Sequence, residues 1–316
     1  LAAAGGGILR TVESTRAASL DELTRRGTQN MRRLARHGVT SVEVKSGYGL
    51  DTASELKMLE AARDAARELP IELVTTFLGA HTLPRESRGD EVARRAYVER
   101  VCEEMIPEVT SRGLASFVDV FVDANAFTIE EGRRVLRTGV EQGLGVKVHA
   151  DQLGADGGAE LAAELSAASA DHLEHVSDAG LEALAAAGTV AVLLPGASLC
   201  LRSHDYADAR RMVEAAVPVG LATDLNPGSS PCESMPLMLQ LACLYCGLSI
   251  DEAIVAATVN AAAASGIADR AGSLEPGKRC DFVVLEDAER RQLVYNVGSS
   301  RIRRVVAAGE VLHEAS

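Results

Sequence analysis

The chain has 316 residues, 47% of them apolar, enough to bury a substantial core as one large barrel or as two domains. Lys and Arg number 32 against 45 Asp and Glu, and the net charge of -13 excludes the basic field that nucleic acid or an anionic membrane needs, leaving a small molecule as the expected partner. The six cysteines are scattered and no stretch approaches the ~18 to 20 uncharged apolar residues of a membrane span, which points to a cytoplasmic protein with reduced thiols.

A helical pattern runs from about residue 8 to 36 after the Gly5-Gly6-Gly7 loop, with no strand ahead of it. From there β-branched apolar runs alternate with helical patterns, the signature of repeated βα units around a parallel sheet. The expected strands are Val39 to Lys45, Ile71 to Phe77, Phe117 to Val122, Gly145 to His149, Asp171 to His175, Thr189 to Leu194 and Val217 to Thr223. Crossover helices such as Thr52 to Glu68 and Thr128 to Gln142 carry capping or acidic first turns. Seven strands suit either a barrel or an open doubly wound sheet. After residue 271 the text changes to short strands with turns, Phe282 to Leu285, Leu293 to Asn296 and Ile302 to Val311, and this favours a barrel domain over residues 1–271 with a small β-sandwich segment over 272–316.

His149 and Asp224 each end an apolar run, and barrels build their sites at the carboxyl ends of strands. Neutral imidazole with carboxylate is an ordinary zinc donor set, so the pair reads as part of a metal-dependent hydrolase site. A lone His at a strand end is more often packed than ligating. For His149 the neighbours favour the ligand. Strand alternation sends His172 and His175 to opposite faces, with function expected for the first and structure for the second. His37, His204 and His313 are expected at the surface or in loops. Cys243-x-x-Cys246 sits in an apolar helical run with no second pair and is expected to pack. Asn226-Pro227-Gly228 is strong turn chemistry, and Tyr48 lies between two glycines in a tight turn that also permits close ligand approach.

The segments Lys45-Ser46-Gly47-Tyr48-Gly49, Phe77-Leu78-Gly79-Ala80-His81, Val148-His149-Ala150-Asp151-Gln152, Asp171-His172-Leu173-Glu174 and Thr223-Asp224-Leu225-Asn226-Pro227-Gly228-Ser229 together resemble the amidohydrolase superfamily and, within it, the imidazolonepropionase family. The resemblance covers nearly the whole chain. It implies an α/β fold, a (β/α)8 TIM-type barrel whose first strand is absent here, with a small C-terminal β-domain. It implies one metal, zinc or less often iron, with His149 and Asp224 as ligands. The family's His-x-His pair and a following substrate-binding arginine have no counterpart in this sequence, so an N-terminally truncated chain of doubtful activity is expected. Tyr48, His81, Gln152, Asn226, Gly228 and Ser229 match substrate-contacting positions. Asp224, His172 and Gln152 match the catalytic ones.

The implied reaction is hydrolysis of the cyclic amide of 4-imidazolone-5-propanoate to N-formimidoyl-L-glutamate in histidine degradation, by a homodimer. Asp224 suits proton transfer to and from water, and His172 suits polarising the carbonyl. Gln152 has no titratable proton and suits orienting the ring. With the arginine absent, Tyr48, His81 and amides near Gly228 are the expected donors to the propanoate. The alternatives are another cyclic amidase or nucleobase deaminase of the superfamily, and an inactive barrel that only binds.

Overall fold

Ser19 divides the first helical stretch. Its side chain accepts from the Glu22 amide, so a first helix, α1 (Ile8–Ala17), ends and α2 (Leu20–Arg36) begins, with Asp21 and Glu22 in its first turn and Arg33 and Arg36 in its last. The computed structural model describes residues 8–315, so the expected Gly5-Gly6-Gly7 loop lies outside the described residues.

Seven parallel strands follow: β1 (Ser41–Lys45), β2 (Glu72–Ala80), β3 (Phe117–Phe121), β4 (Gly145–Ala150), β5 (Ser169–His172), β6 (Val190–Leu193) and β7 (Val219–Leu221). They pair strictly in sequence order. Between them run α3 (Thr52–Ala66), α4 (Glu91–Arg100) continuing through a wide turn into α5 (Ile106–Ser111), α6 (Ile129–Glu141), α7 (Gly158–Glu164), α8 (Asp178–Ala187), α9 (Pro195–Leu201) and α10 (Ala209–Glu214). The expected cap of α6 is a full capping box between Thr128 and Glu131, and Asp51 caps α3. After β7 come α11 (Met235–Tyr245), α12 (Ile250–Val255) and α13 (Ala261–Ala264).

The sheet is curled into an open barrel. In a flat sheet β1 and β5 would stand about 19 Å apart at ~4.8 Å per strand. Yet Lys45 Nζ on β1 lies 2.9 Å from Asp171 Oδ2 on β5. Among the described residues β1 and β7 each have a hydrogen-bonded neighbour on one side only. The whole of β1 is accordingly half-buried, while β4 is buried over five of its six residues. Strand alternation splits the barrel wall into two sets. Val118, Val120, Val146 and Val148 face the helices in the main core. Glu43, Lys45, Asp119, Lys147, His149 and Asp171 face inward.

A separate antiparallel sheet is formed by β8 (Phe282–Leu285), β9 (Ile302–Ala307) and β10 (Glu310–Glu314). The expected strand Leu293 to Asn296 is instead a short helix, α14 (Gln292–Tyr295), and Ile302 to Val311 is two strands turned at Ala308-Gly309. A four-residue apolar run carries too little periodicity to separate the two states. Gln240 on α11 donates to the Leu293 carbonyl and accepts from the Gly298 amide, which ties this segment to the barrel.

Candidate metal centre and substrate pocket

β5 starts and stops earlier than expected. It ends at His172, and both His172 (φ 82) and Leu173 (φ 68) adopt left-handed backbone, costing about 1 to 3 kcal/mol each. The turn is pinned by the Leu173 amide to the Ala150 carbonyl (3.0 Å) and by the His175 amide to the Asp151 carbonyl (2.9 Å). His175 therefore lies past the strand, and its separation from His172 comes from the turn and not from alternation.

His149 and Asp224 open into one cavity of about 1120 Å³, together with Tyr48, His81, Gln152 and His172. The cavity continues along the open edge between β1 and β7. The rings of His81 and His149 are 6.1 Å apart and those of His149 and His172 5.4 Å, so three histidines line one wall. Asn226 and Ser229 reach the cavity, whereas Gly228 does not line it.

Asp119 positions His149. Its Oδ2 lies 3.0 Å from His149 Nδ1, and its Oδ1 accepts from the His149 backbone amide at 3.2 Å. The Nδ1 contact is close without hydrogen-bond geometry, but a carboxylate on that side favours a proton on Nδ1 and leaves Nε2 toward the cavity. Asp119, His149 and Asp171 also offer donor atoms within 4.8 Å of one another. A cation already sits on that cluster, because Lys45 Nζ donates to Asp119 Oδ2 at 2.6 Å and lies 2.9 Å from Asp171 Oδ2. The cluster is an ion network below the site, and the donors that open into the cavity are His149 and Asp224. Asp224 is short of partners: among the described residues the Ser229 hydroxyl is the one hydrogen-bond donor to its carboxylate, at 3.4 Å to Oδ2. Burial pushes its pKa up, with His172 and His149 partly opposing. A half-buried carboxylate at the mouth of the cavity with so few donors suits a cation. Burial alone would also raise Asp119, but His149 and Lys45 outweigh it and hold that carboxyl well below the usual range.

Beneath this layer Lys147 donates to Glu43 Oε2 (2.9 Å) and the Ala264 carbonyl (2.7 Å), and Lys45 lies 3.2 Å from Glu43 Oε1. None of Glu43, Lys45, Asp119, Lys147 or Asp171 was expected in the site from sequence. The one signal was a charged residue at every second position of otherwise apolar strands.

The Tyr48 loop is built rigidly. Glu55 on α3, fully buried, accepts from the amides of Gly47, Gly49 and Leu50, each at 2.8 Å. Arg16 on α1 donates to the Gly49 and Leu50 carbonyls. Gly47 has φ 106, and a Cβ there would meet the Leu78 carbonyl oxygen at 2.8 Å, so the turn requires glycine. Burial, then Asp224, raises the Tyr48 pKa far above its ordinary value, so the phenol remains a donor. It meets His81 edge-on, ring centroids 5.1 Å apart.

His81 Nδ1 lies 3.0 Å from the Gly47 carbonyl, which can only accept, so Nδ1 carries the proton and Nε2 keeps its lone pair. Burial, then His149, lowers its pKa to about 4. His81 thus presents an acceptor to the cavity, not the donor anticipated from sequence. Asn226 is internally saturated: Nδ2 donates to the Asp224 carbonyl and Ser229 Oγ, and Oδ1 accepts from the amides of Gly228 and Ser229. Asn226 and Gly228 shape the Asp224 loop. His204 is exposed as expected, but His37 and His313 are half-buried. Cys243 and Cys246 fall in and at the end of α11, and burial pushes the Cys246 thiol up to about 12, in keeping with packing.

An amidohydrolase family model matches residues 6–312. The imidazolonepropionase of Symbiobacterium thermophilum is 50% identical over 313 residues, 99% of this chain and 73% of that protein. The chain belongs to the amidohydrolase family, among the imidazolonepropionases. The imidazolonepropionase of Myxococcus xanthus is 49% identical over 98% of this chain and likewise 73% of its own length. Among solved structures, guanine deaminase from Bradyrhizobium japonicum superposes with a TM-score of 0.74 at 16% identity, covering 97% of this chain and 78% of that one. An adenosine deaminase from Xanthomonas campestris, solved with zinc, gives 0.71 at 18% identity over 93% and 70%. At such identities the likeness is one of fold. Family membership makes the chain a hydrolase with a small-molecule substrate, and the His149 and Asp224 donors agree with a divalent metal.

Proposed function

We propose that this chain hydrolyses the cyclic amide of 4-imidazolone-5-propanoate to N-formimidoyl-L-glutamate. The observation that carries the reading is 46 to 50% identity to imidazolonepropionases over nearly the entire chain, supported by a cavity holding Tyr48, His81, His149, His172 and Asp224 together.

His149 Nε2 and the Asp224 carboxylate would hold the metal, with zinc favoured over iron because imidazole and carboxylate form an ordinary zinc set. When bound, the metal supplies positive charge that acidifies water and stabilises an oxyanion. Asp224 takes the proton from the attacking water and returns it to the departing ring nitrogen. His172 stabilises the oxygen of the amide carbonyl as charge develops. Glu174, Asp224 and Asp171 outweigh the opposing effect of burial and raise its pKa, which favours the donor form. His81 accepts from a ring N–H through Nε2, Tyr48 donates from its hydroxyl, and Gln152 orients the ring through its amide. Ser229 acts on Asp224, and Asn226 and Gly228 hold the loop that carries both. We further infer a cytoplasmic homodimer with a barrel over 1–271 and a β-domain over 272–316.

The test is loss of imidazolone propanoate absorbance with the zinc-loaded protein, beside guanine and adenosine. Turnover of the first alone supports the reading. Turnover of a nucleobase without it replaces the reading with a deaminase.

A further inference from the structure

His172 Nδ1 is buried without a hydrogen-bond partner, and so is Glu174 Oε2. The two side chains face each other: His172 Nδ1 lies 3.8 Å from Glu174 Oε1, with side-chain exposures of 3% and 7%. Two complementary buried groups this close, each left unsatisfied, are costly unless they meet. The separation lies just outside hydrogen-bond range, and a modest rotation of the Glu174 side chain closes it. The Ser198 hydroxyl donates to Glu174 Oε1 at 3.3 Å and holds the carboxylate on that side. The left-handed pair His172 and Leu173 turns the chain so that Glu174 returns behind the ring, and the two bonds to Ala150 and Asp151 keep it there.

We propose that Glu174 is a positioning residue for His172, accepting from Nδ1–H and thereby fixing the ring with Nε2 toward the cavity. Histidine tautomers are set by the partner of the other ring nitrogen. His172 lines the cavity, and the edge bearing Nδ1 is turned away into the protein against Glu174. With Nδ1 protonated, Nε2 is the atom that exchanges a proton or a hydrogen bond with the cavity's contents. Without Glu174 the ring has no acceptor behind it, and the proton is free to settle on Nε2 with the lone pair stranded in the core. Nothing in the assignment of His149 and Asp224 requires this carboxylate, so its role is separate from metal binding. The functional consequence rests on the hydrolase reading above.

The test is nitrogen NMR of the 15N-histidine-labelled protein, with the His172 resonances identified by their loss in H172Q. In the unmodified protein His172 Nδ1 carries a proton. In E174L it loses that proton, whereas E174Q, which keeps an acceptor oxygen and the side chain's shape, retains it. Metal content stays unchanged in both, while turnover of imidazolone propanoate falls at least tenfold in E174L and less in E174Q. An unprotonated Nδ1 in the unmodified protein overturns the proposal even if E174L does not fold, and so does an E174L spectrum identical to the parent. If the parent shows the Nδ1 proton but does not act on imidazolone propanoate, the substrate reading fails and the Glu174 assignment stands.

Discussion

Asp119 Oδ2 stands 3.0 Å from His149 Nδ1 and 2.6 Å from Lys45 Nζ, so one fully buried carboxylate both backs the imidazole proposed to hold the metal and neutralises a largely buried ammonium. Removing it acts on the metal before it acts on the substrate. D119N weakens zinc binding by about 10- to 100-fold, as loss of such partners does elsewhere. Competition with a chelating dye measures it, and an unchanged affinity removes Asp119 from the site.

Lys45 is the hub of the network, touching Glu43, Asp119 and Asp171. Burial disfavours its charge, but the three carboxylates outweigh that and raise its pKa well above the ordinary value. K45M leaves them facing one another without their cation, and breaking a buried pair from one side costs about 3 to 5 kcal/mol. Denaturant unfolding should register a loss of that size. Less than about 1 kcal/mol would mean the network contributes little to stability.

Tyr48 is predicted to contribute through its hydroxyl and Glu55 through the loop that presents it. Y48F removes one donor and lowers kcat/KM by about 10- to 100-fold with little change in melting temperature. E55L strands three buried amide donors and lowers stability as well. In the double variant the kinetic losses do not add, because both act on one contact. Additive losses would separate the loop from the hydroxyl.

The barrel was legible in the sequence because its outer face is written in β-branched residues, and all seven expected strands form, with ends shifted by a few residues. That His149, His172 and Asp224 would share one cavity was legible because each stands at or just past the end of a strand. The inner layer was not. Lys45 and Asp171 are far apart in sequence and meet only when the sheet rolls, so no local pattern pairs them. The β5 boundary was misplaced because Ser169-Ala-Asp-His has weak strand propensity and its extent is set by pairing to Lys147 through Ala150. Nor did the sequence show that the Asn226 amide is consumed within its own turn.

The unpaired edges of β1 and β7 also predict behaviour. Among the described residues each lacks a strand partner on one side, beside an apolar cavity wall, and such edges template pairing with other chains. The protein should therefore self-associate progressively as its concentration rises. Sedimentation velocity reads this directly, and a single species of constant size across the concentration range contradicts it.

The acid limb of the stability curve should carry the signature of Glu43. Burial alone would raise its pKa, but Lys147 and Lys45 outweigh burial and bring the carboxyl down from 4.5 to about 2. Because the folded-state value is the lower one, the unfolded chain binds this proton first as pH falls. The stabilisation is complete above pH 4.5 and disappears as the pH drops toward 2, at up to about 1.4 kcal/mol per unit of pH. E43Q abolishes the titration and leaves two lysines with one fewer carboxylate, so its stability is lower at neutral pH and its slope through the acid window is flatter. Urea unfolding of both proteins across that window tests the sign: parallel curves would show that Glu43 does not titrate with folding, and a steeper E43Q curve would reverse the assignment.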